Sequence, residues 1–197
     1  MYILLAQIKM ILGQTLKNID TIIEQTKAWL SQFIIKHNIC PFAKREYDND
    51  RIFYDVVNTH NLEEQLHSLV LACKQLDGNS DIETSLLIFP HGLDQFDDYL
   101  DFLEISNALL EKQGYEGIYQ LASFHPKYCF EGVPSDDASN YTNRSPYPML
   151  HLIREASLEK ALENYPHPEN IPTRNIEYTR ELGAKYLEDL LSSCTEK

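Results

Sequence analysis

The sequence contains few of the residues on which common nucleotide-binding and nucleophile motifs are built. Only 7 of the 197 residues are glycine, and no Gly-x-Gly-x-x-Gly, Walker-type or Gly-x-Ser-x-Gly pattern occurs. The 4 cysteines never stand as a Cys-x-x-Cys pair, so there is neither a zinc ribbon nor a thioredoxin-type motif. The usual phosphate-binding loops and the nucleophile elbow of α/β-hydrolases are therefore excluded.

Basic residues are also scarce. The chain has 17 Lys and Arg against 30 Asp and Glu, a formal net charge of −13. Nucleic acids and anionic membranes both require a basic surface, so neither is expected as a partner. No apolar run approaches the roughly 18 residues that span a bilayer, and the N-terminus lacks the basic start of a signal peptide. We therefore expect a cytoplasmic protein with reduced thiols.

The remaining composition, 43% hydrophobic and 24% charged, is that of an ordinary globular domain. We expect residues 1–14 to form an N-terminal extension and residues 15–197 to form a single globular α/β domain. Helix-period patterns cover residues 15–37, 61–77 and 94–113, and strand-like runs cover 52–57, 86–89 and 118–124. This alternation predicts a small, mainly parallel sheet of about three strands flanked by helices. A helical C-terminal part is predicted over residues 148–163 and 174–192.

If the three strands are parallel, His60, His91 and His125 follow their carboxyl ends at one edge of the sheet, where open α/β sheets bind ligands. Capping and turn roles are the simpler interpretation of His60 and His91. His125 lies in Phe124–Glu155, a segment largely without helix or strand periodicity. Such segments are usually functional or disordered, and its aromatic residues favour an ordered one.

This segment contains most of the candidate site residues. His125 can act as a general base or metal ligand, and Asp136 or Asp137 can supply a carboxylate, although a turn explains the aspartates equally well. Arg144 offers a planar donor for carboxylate or phosphate. Further donors come from Asn140, Asn143 and Ser145. The alternative is that these side chains satisfy the backbone of a buried loop.

Three further candidates lie at the end of the segment or outside it. On the predicted helix 148–163, His151, Arg154 and Glu155 share one face, so His151 becomes a catalytic candidate and Arg154 a second cation for the ligand. A metal site, if present, draws on His125, Asp137 and His151, a two-histidine, one-carboxylate set. Cys40, near two basic residues, is a candidate nucleophile. Burial as a structural cysteine is the alternative.

Five sequence blocks are similar to the bacterial family known as domain of unknown function 1415. They are Ile39-Cys40-Pro41-Phe42-Ala43, Ala122-Ser123-Phe124-His125-Pro126, Asp136-Asp137 with Asn140, Thr142-Asn143-Arg144-Ser145-Pro146-Tyr147-Pro148, and His151-Leu152 with Arg154-Glu155-Ala156. The resemblance covers roughly residues 20–192. The resemblance implies no reaction. It implies that ten polar positions belong to the pattern that the family shares: Cys40, His125, Asp136, Asp137, Asn140, Asn143, Arg144, Ser145, His151 and Arg154.

Three hypotheses follow for this polar set. It is the active site of an enzyme for a small anionic substrate, with hydrolysis as one open reaction class and a divalent metal as an open cofactor. Alternatively it is a non-catalytic site of a ligand-binding or regulatory module. In the third hypothesis it is a purely structural hydrogen-bond network that holds the long loop.

Overall fold

The computed structural model describes residues 18–196. The expected N-terminal extension, residues 1–14, lies outside them. The elements in chain order are α1 (18–35, with a π-helical end at Leu30–Ile35), α2 (Ala43–Asp48), β1 (Ile52–Val56), α3 (Leu62–Gly78), β2 (Thr84–Ile88), α4 (Phe96–Lys112), β3 (Tyr119–Phe124), β4 (Met149–Arg154), α5 (Glu155–Glu163), α6 (Ile171–Leu182) and α7 (Ala184–Ser193), with short 3-10 helices at Ala138–Thr142 and Pro168–Asn170.

The sheet of residues 18–196 is mixed and has four strands in the order β1-β2-β4-β3. β1 and β2 pair in parallel, whereas β4 pairs antiparallel with both β2 and β3. The prediction of a mainly parallel sheet of about three strands is therefore wrong in strand number and in sheet type. Because β4 opposes both neighbours, β1, β2 and β3 still run in the same direction.

The missing strand is β4, which the sequence pattern predicted as the start of a helix over 148–163. Met149–Arg154 is a strand, and the helix begins only at Glu155. A short apolar run can occur in a buried helix or in a strand covered on both faces, so periodicity alone does not separate the two. On a strand, residues three apart project to opposite faces. His151 and Arg154 therefore do not share a face.

Helices cover both faces of the sheet and form two hydrophobic cores. Leu87, Leu150 and Leu152 pack on one face with residues of α3 and α4. Ile88 and Met149 pack on the other face with residues of α1, α6 and α7. The α/β class and the helical C-terminal part are thus confirmed.

Two helix boundaries depend on local backbone chemistry. Asn61 caps α3 as predicted, because its side-chain oxygen accepts a hydrogen bond from the Glu64 N–H at 3.0 Å. The predicted helix 174–192 is instead two helices, divided at Gly183, whose φ of +82° is not helical. Within the described part of the chain, no helix is long and apolar enough to cross a membrane.

Candidate functional site

His125 anchors the start of the long segment from inside the protein. It is fully buried, and its Nδ1 accepts a hydrogen bond from the Lys127 N–H at 3.0 Å. Its Nε2 therefore carries the proton and donates to the Leu93 carbonyl at 2.9 Å. Burial lowers the pKa of His125. Both ring nitrogens of this neutral imidazole are occupied, so neither is available to a metal ion or a substrate.

Two asparagines fold the segment onto itself. Asn140 is fully buried; its Oδ1 accepts from the Phe130 N–H at 3.0 Å and its Nδ2 donates to the Pro134 carbonyl at 2.8 Å. Asn143 Nδ2 donates to the Ser123 carbonyl at 3.0 Å. Both side chains thus pair with backbone groups of the loop and of the adjacent strand end.

Arg144 is held in a fixed orientation at the surface of the same segment. Its Nε donates to the Tyr128 carbonyl at 3.1 Å, and its Nη2 donates to the Ser135 carbonyl at 2.7 Å. The guanidinium lies over the Tyr141 ring, 4.6 Å from its centroid. Nη1 has no hydrogen-bond partner among residues 18–196, and it is not one of the buried unpartnered atoms. This nitrogen is therefore accessible to solvent.

The end of the segment is tied to α1. The Arg144 carbonyl accepts a hydrogen bond from Trp29 Nε1 at 3.0 Å, and the Tyr147 hydroxyl donates to Gln25 Oε1. Buried Ser145 donates from Oγ to the Tyr147 carbonyl at 2.5 Å. Sequence reasoning missed Trp29 and Gln25, because their partners lie more than a hundred residues away in the chain.

The two aspartates have different surroundings. Asp136 is exposed. Asp137 caps the 3-10 helix Ala138–Thr142 by accepting from the Ser139 N–H at 2.8 Å, and its Oδ2 is 3.0 Å from Arg180 Nη2. The Arg180 guanidinium holds the pKa of the Asp137 carboxyl well below its usual range. Arg180, on α6, had no signal in the sequence that linked it to Asp137.

His151 lies on β4, apart from this network. Its Nε2 is 2.7 Å from Thr84 Oγ1, and the same Oγ1 donates to the Leu152 carbonyl at 2.6 Å. Burial lowers the pKa of His151 to about 4. Its Nδ1 has no partner among the residues that the structure describes. The imidazole is therefore neutral, with one ring nitrogen tied to β2.

Arg154 projects from the opposite face and completes the end of α3. Its Nη2 donates to the carbonyls of Leu76 at 2.6 Å, Ile82 at 3.1 Å and Asn79 at 3.3 Å. These carbonyls lie at and after the last turn of α3, where helix carbonyls lack intrahelical partners. Arg154 thus contributes to the packing of α3 and lies on a different face of the sheet from His151.

Cys40 follows α1 and precedes α2. Its thiol is free, and burial raises its pKa, although the N–H groups of Phe42 and Ala43 act in the opposite direction. A raised pKa disfavours the thiolate that a nucleophile requires. The local chemistry therefore agrees better with a structural cysteine.

The predicted metal ligands His125, Asp137 and His151 each have separate partners. Across residues 18–196, no group of three His, Cys, Asp or Glu side chains is placed to hold a metal ion. The predicted meeting of histidines at the sheet edge does occur for one pair, because the His60 and His91 rings lie with centroids 5.1 Å apart.

A comparison with protein families finds a match to the chain. The model of a family described as a protein of unknown function (DUF1415) matches residues 21–189. The chain belongs to the DUF1415 family. The resemblance drawn from the five sequence blocks is thereby confirmed. Searches of curated proteins and of solved structures find no match. The family is described as one of unknown function, so membership assigns no reaction to the chain.

Proposed function

We propose that this DUF1415 protein is a binding module for a small anion and that Arg144 is the residue that receives it. The observation that carries the proposal is the fixed guanidinium of Arg144. Two backbone carbonyls, those of Tyr128 and Ser135, and the Tyr141 ring hold it in place. Its Nη1 is left without a partner in the described chain.

A guanidinium held in this way suits an anion for two reasons. Its planar N–H donors match carboxylate and phosphate oxygens. The protein has already restricted the arginine side chain, so binding costs little further conformational entropy. The carboxylate of Asp137, two residues after Ser135 in the chain, is paired with Arg180, which weakens its repulsion of an anion. A site of this kind requires only one arginine, so it is compatible with a protein that has few basic residues.

Binding without chemistry has better support than hydrolysis. The predicted general base, His125, has both ring nitrogens engaged in hydrogen bonds. His151 has a free Nδ1, but it lies on β4 and its pKa of about 4 makes it a weak base. The ligand-binding candidates Asn140, Asn143 and Ser145 pair with backbone groups. These contacts assign them to holding the loop in which Arg144 is fixed.

Titration with inorganic phosphate tests the proposal. We expect saturable binding with one site per chain by calorimetry, and a chemical-shift change at the Arg144 Nε–Hε group by NMR of the wild-type protein. Arg144→Lys keeps the charge but lacks the planar donor, and it should weaken binding by roughly tenfold or more. Arg45→Lys is the matched control, because the Arg45 side chain is 78% exposed and lies outside the loop.

The absence of saturable phosphate binding, or an unmoved Arg144 signal in the folded wild-type protein, contradicts the proposal without requiring any variant. A second experiment separates binding from catalysis. A phosphate monoester incubated with the protein should be recovered unchanged by phosphorus NMR. Release of inorganic phosphate that disappears in Arg144→Lys would instead support the enzyme hypothesis.

A further inference from the structure

β3 forms one edge of the sheet, because it is the last strand in the order β1-β2-β4-β3. Its residues, Tyr119–Phe124, carry no charge. Strand edges of this kind pair with other chains, and proteins usually block them with charged residues or proline. The opposite edge has such a residue in Asp55, in the middle of β1. β3 has neither, and Ile118, just before it, is 48% exposed.

The direction of each backbone group of β3 follows from the hydrogen bonds that join it to β4. The Ile118 carbonyl accepts from the Glu155 N–H at 3.0 Å, so the backbone groups of Ile118 point to the β4 side. Backbone groups alternate in direction along a strand. The N–H and carbonyl groups of Tyr119, Leu121 and Ser123 therefore point to the open side of β3.

Four of these outward groups have no hydrogen-bond partner among residues 18–196. They are the Leu121 N–H, the Leu121 carbonyl, the Ser123 N–H and the Tyr119 carbonyl. The other outward groups are paired within the chain, because the Tyr119 N–H donates to the Tyr115 carbonyl at 3.1 Å and the Ser123 carbonyl accepts from Asn143 Nδ2 at 3.0 Å. The open edge thus offers two donors and two acceptors and is bounded at both ends.

This pattern of donors and acceptors is complementary to itself. If a second copy lies antiparallel to β3 about a two-fold axis at Leu121, the two Leu121 residues lie opposite each other and exchange both N–H···O bonds. The Ser123 N–H of each copy then donates to the Tyr119 carbonyl of the other. All four open groups of each chain are paired, and no group that is already bonded within a chain is required.

The side chains that meet in this register are apolar or neutral. Ile118 lies opposite Phe124 of the second copy, so the exposed isoleucine has an apolar cross-strand partner. Gln120 lies opposite Ala122. No charged residue of one copy faces a charged residue of the other along the pair. This is important because the chain has a formal net charge of −13, which makes two copies repel each other elsewhere on their surfaces.

We propose that this protein forms a two-fold symmetric homodimer in which the β3 edges of two copies pair antiparallel and join their sheets into one. The pairing extends from Tyr119 to Ser123 and ends where these residues have partners within their own chain. Because it joins a short edge, we expect a reversible dimer and not a permanent one. It uses none of the hydrogen bonds of Arg144 and does not depend on the proposed anion.

Sedimentation velocity of the full chain over a concentration series tests the dimer. At physiological ionic strength, where repulsion between two acidic chains is screened, we expect a reversible monomer–dimer equilibrium. Ile118→Asp places a carboxylate against Phe124 of the second copy and should weaken dimerisation by roughly tenfold or more. Near-ultraviolet circular dichroism checks that the variant is folded. Ile105→Asp is the matched control, since Ile105 is 43% exposed on α4, and it should dimerise as the wild-type protein does.

Amide hydrogen exchange of the wild-type protein locates the interface without a variant. The Leu121 and Ser123 N–H groups should exchange more slowly as the protein concentration rises, whereas those of Gln120 and Ala122, which point to β4, should exchange at a rate independent of concentration. A monomer at every concentration would overturn the proposal and leave the edge to an extended segment of another protein. A dimer that Ile118→Asp does not weaken, or in which Leu121 exchange is independent of concentration, would overturn it as well, because the copies then associate elsewhere.

Discussion

His151 and Thr84 share a hydrogen bond whose direction is determined by a third group. The Thr84 hydroxyl has one proton, and it donates that proton to the Leu152 carbonyl at 2.6 Å. The contact of 2.7 Å between Thr84 Oγ1 and His151 Nε2 must therefore use the proton of the imidazole. The pair joins β2 to β4 through a neutral histidine.

The neutral state of His151 predicts a loss of stability in acid. Burial lowers its pKa from 6.5 to about 4, so the unfolded state binds a proton first as the pH falls. The contribution of His151 to the free energy of unfolding is complete above pH 6.5 and declines between pH 6.5 and pH 4. It is lost below that range. By linkage the full effect is on the order of 3 kcal/mol.

This prediction is checked by urea unfolding of the wild-type protein and His151→Gln at neutral pH and near pH 4. Glutamine retains an N–H donor for Thr84 but does not titrate. The decline in the free energy of unfolding should be smaller in the variant. Burial also lowers the pKa of His37 and His125, so the difference between the two proteins isolates His151. Equal declines would contradict the assignment.

Asn140→Ala should strongly destabilise the long segment. It leaves the Phe130 N–H and the Pro134 carbonyl without their side-chain partner, which predicts a loss of about 2–4 kcal/mol in the free energy of unfolding. Asn164→Ala is the control, because its amide bonds the Lys160 carbonyl at an exposed position. Urea unfolding at neutral pH compares the two. Similar small losses would show that the loop does not depend on Asn140.

Arg154→Met should destabilise the C-terminal end of α3. Methionine fills much of the same space but leaves the carbonyls of Leu76, Asn79 and Ile82 without this donor. We expect a loss of about 2–4 kcal/mol, with partial recovery in Arg154→Lys. Hydrogen exchange should quicken first in the last turn of α3. Uniform exchange across the protein, with no local effect in α3, would argue against this role.

The charge and the capping function of Asp137 can be separated by two variants. Asp137→Asn keeps an oxygen for the Ser139 N–H but loses the ion pair with Arg180, whereas Asp137→Ala loses both. We expect Asp137→Ala to be the less stable of the two by about 1 kcal/mol, the usual value of a cap. Thermal unfolding at neutral pH gives the order of stability of the two variants. Equal stabilities would show that the cap does not stabilise the protein.

The same ion pair has its own pH dependence. The pKa of Asp137 in the folded protein lies below the usual value of 3.8. The contribution of its carboxylate to the free energy of unfolding is therefore present above pH 3.8 and is lost as the pH falls through the folded pKa. Asp137→Asn should remove this part of the acid dependence. The decline assigned to His151 occurs at higher pH, so a pH series of unfolding curves distinguishes the two groups.

Much of the fold followed from local patterns in the sequence. Asn61 and Glu64 predicted the start of α3, and strand-like runs at 52–57, 86–89 and 118–124 predicted β1, β2 and β3. The common direction of these three strands also followed from their alternation with helices. The error came at Met149–Arg154, where a short apolar run suits a buried helix and a central strand equally well. Its strand state depends on the pairing edges that β2 and β3 offer, and these exist only after the chain has folded.

In the candidate site, too, some features follow from the sequence and others depend on the tertiary structure. The sequence by itself determined that Phe124–Glu155 is dense in polar side chains and that His60 and His91 each follow a predicted strand. Only the tertiary structure decided the partner of each polar group, because Leu93, Trp29 and Arg180 are remote in the chain from His125, Arg144 and Asp137. A donor or acceptor buried during folding must find a partner wherever the chain brings one. Those long-range pairings hold Arg144 in place and leave its Nη1 without a partner among residues 18–196.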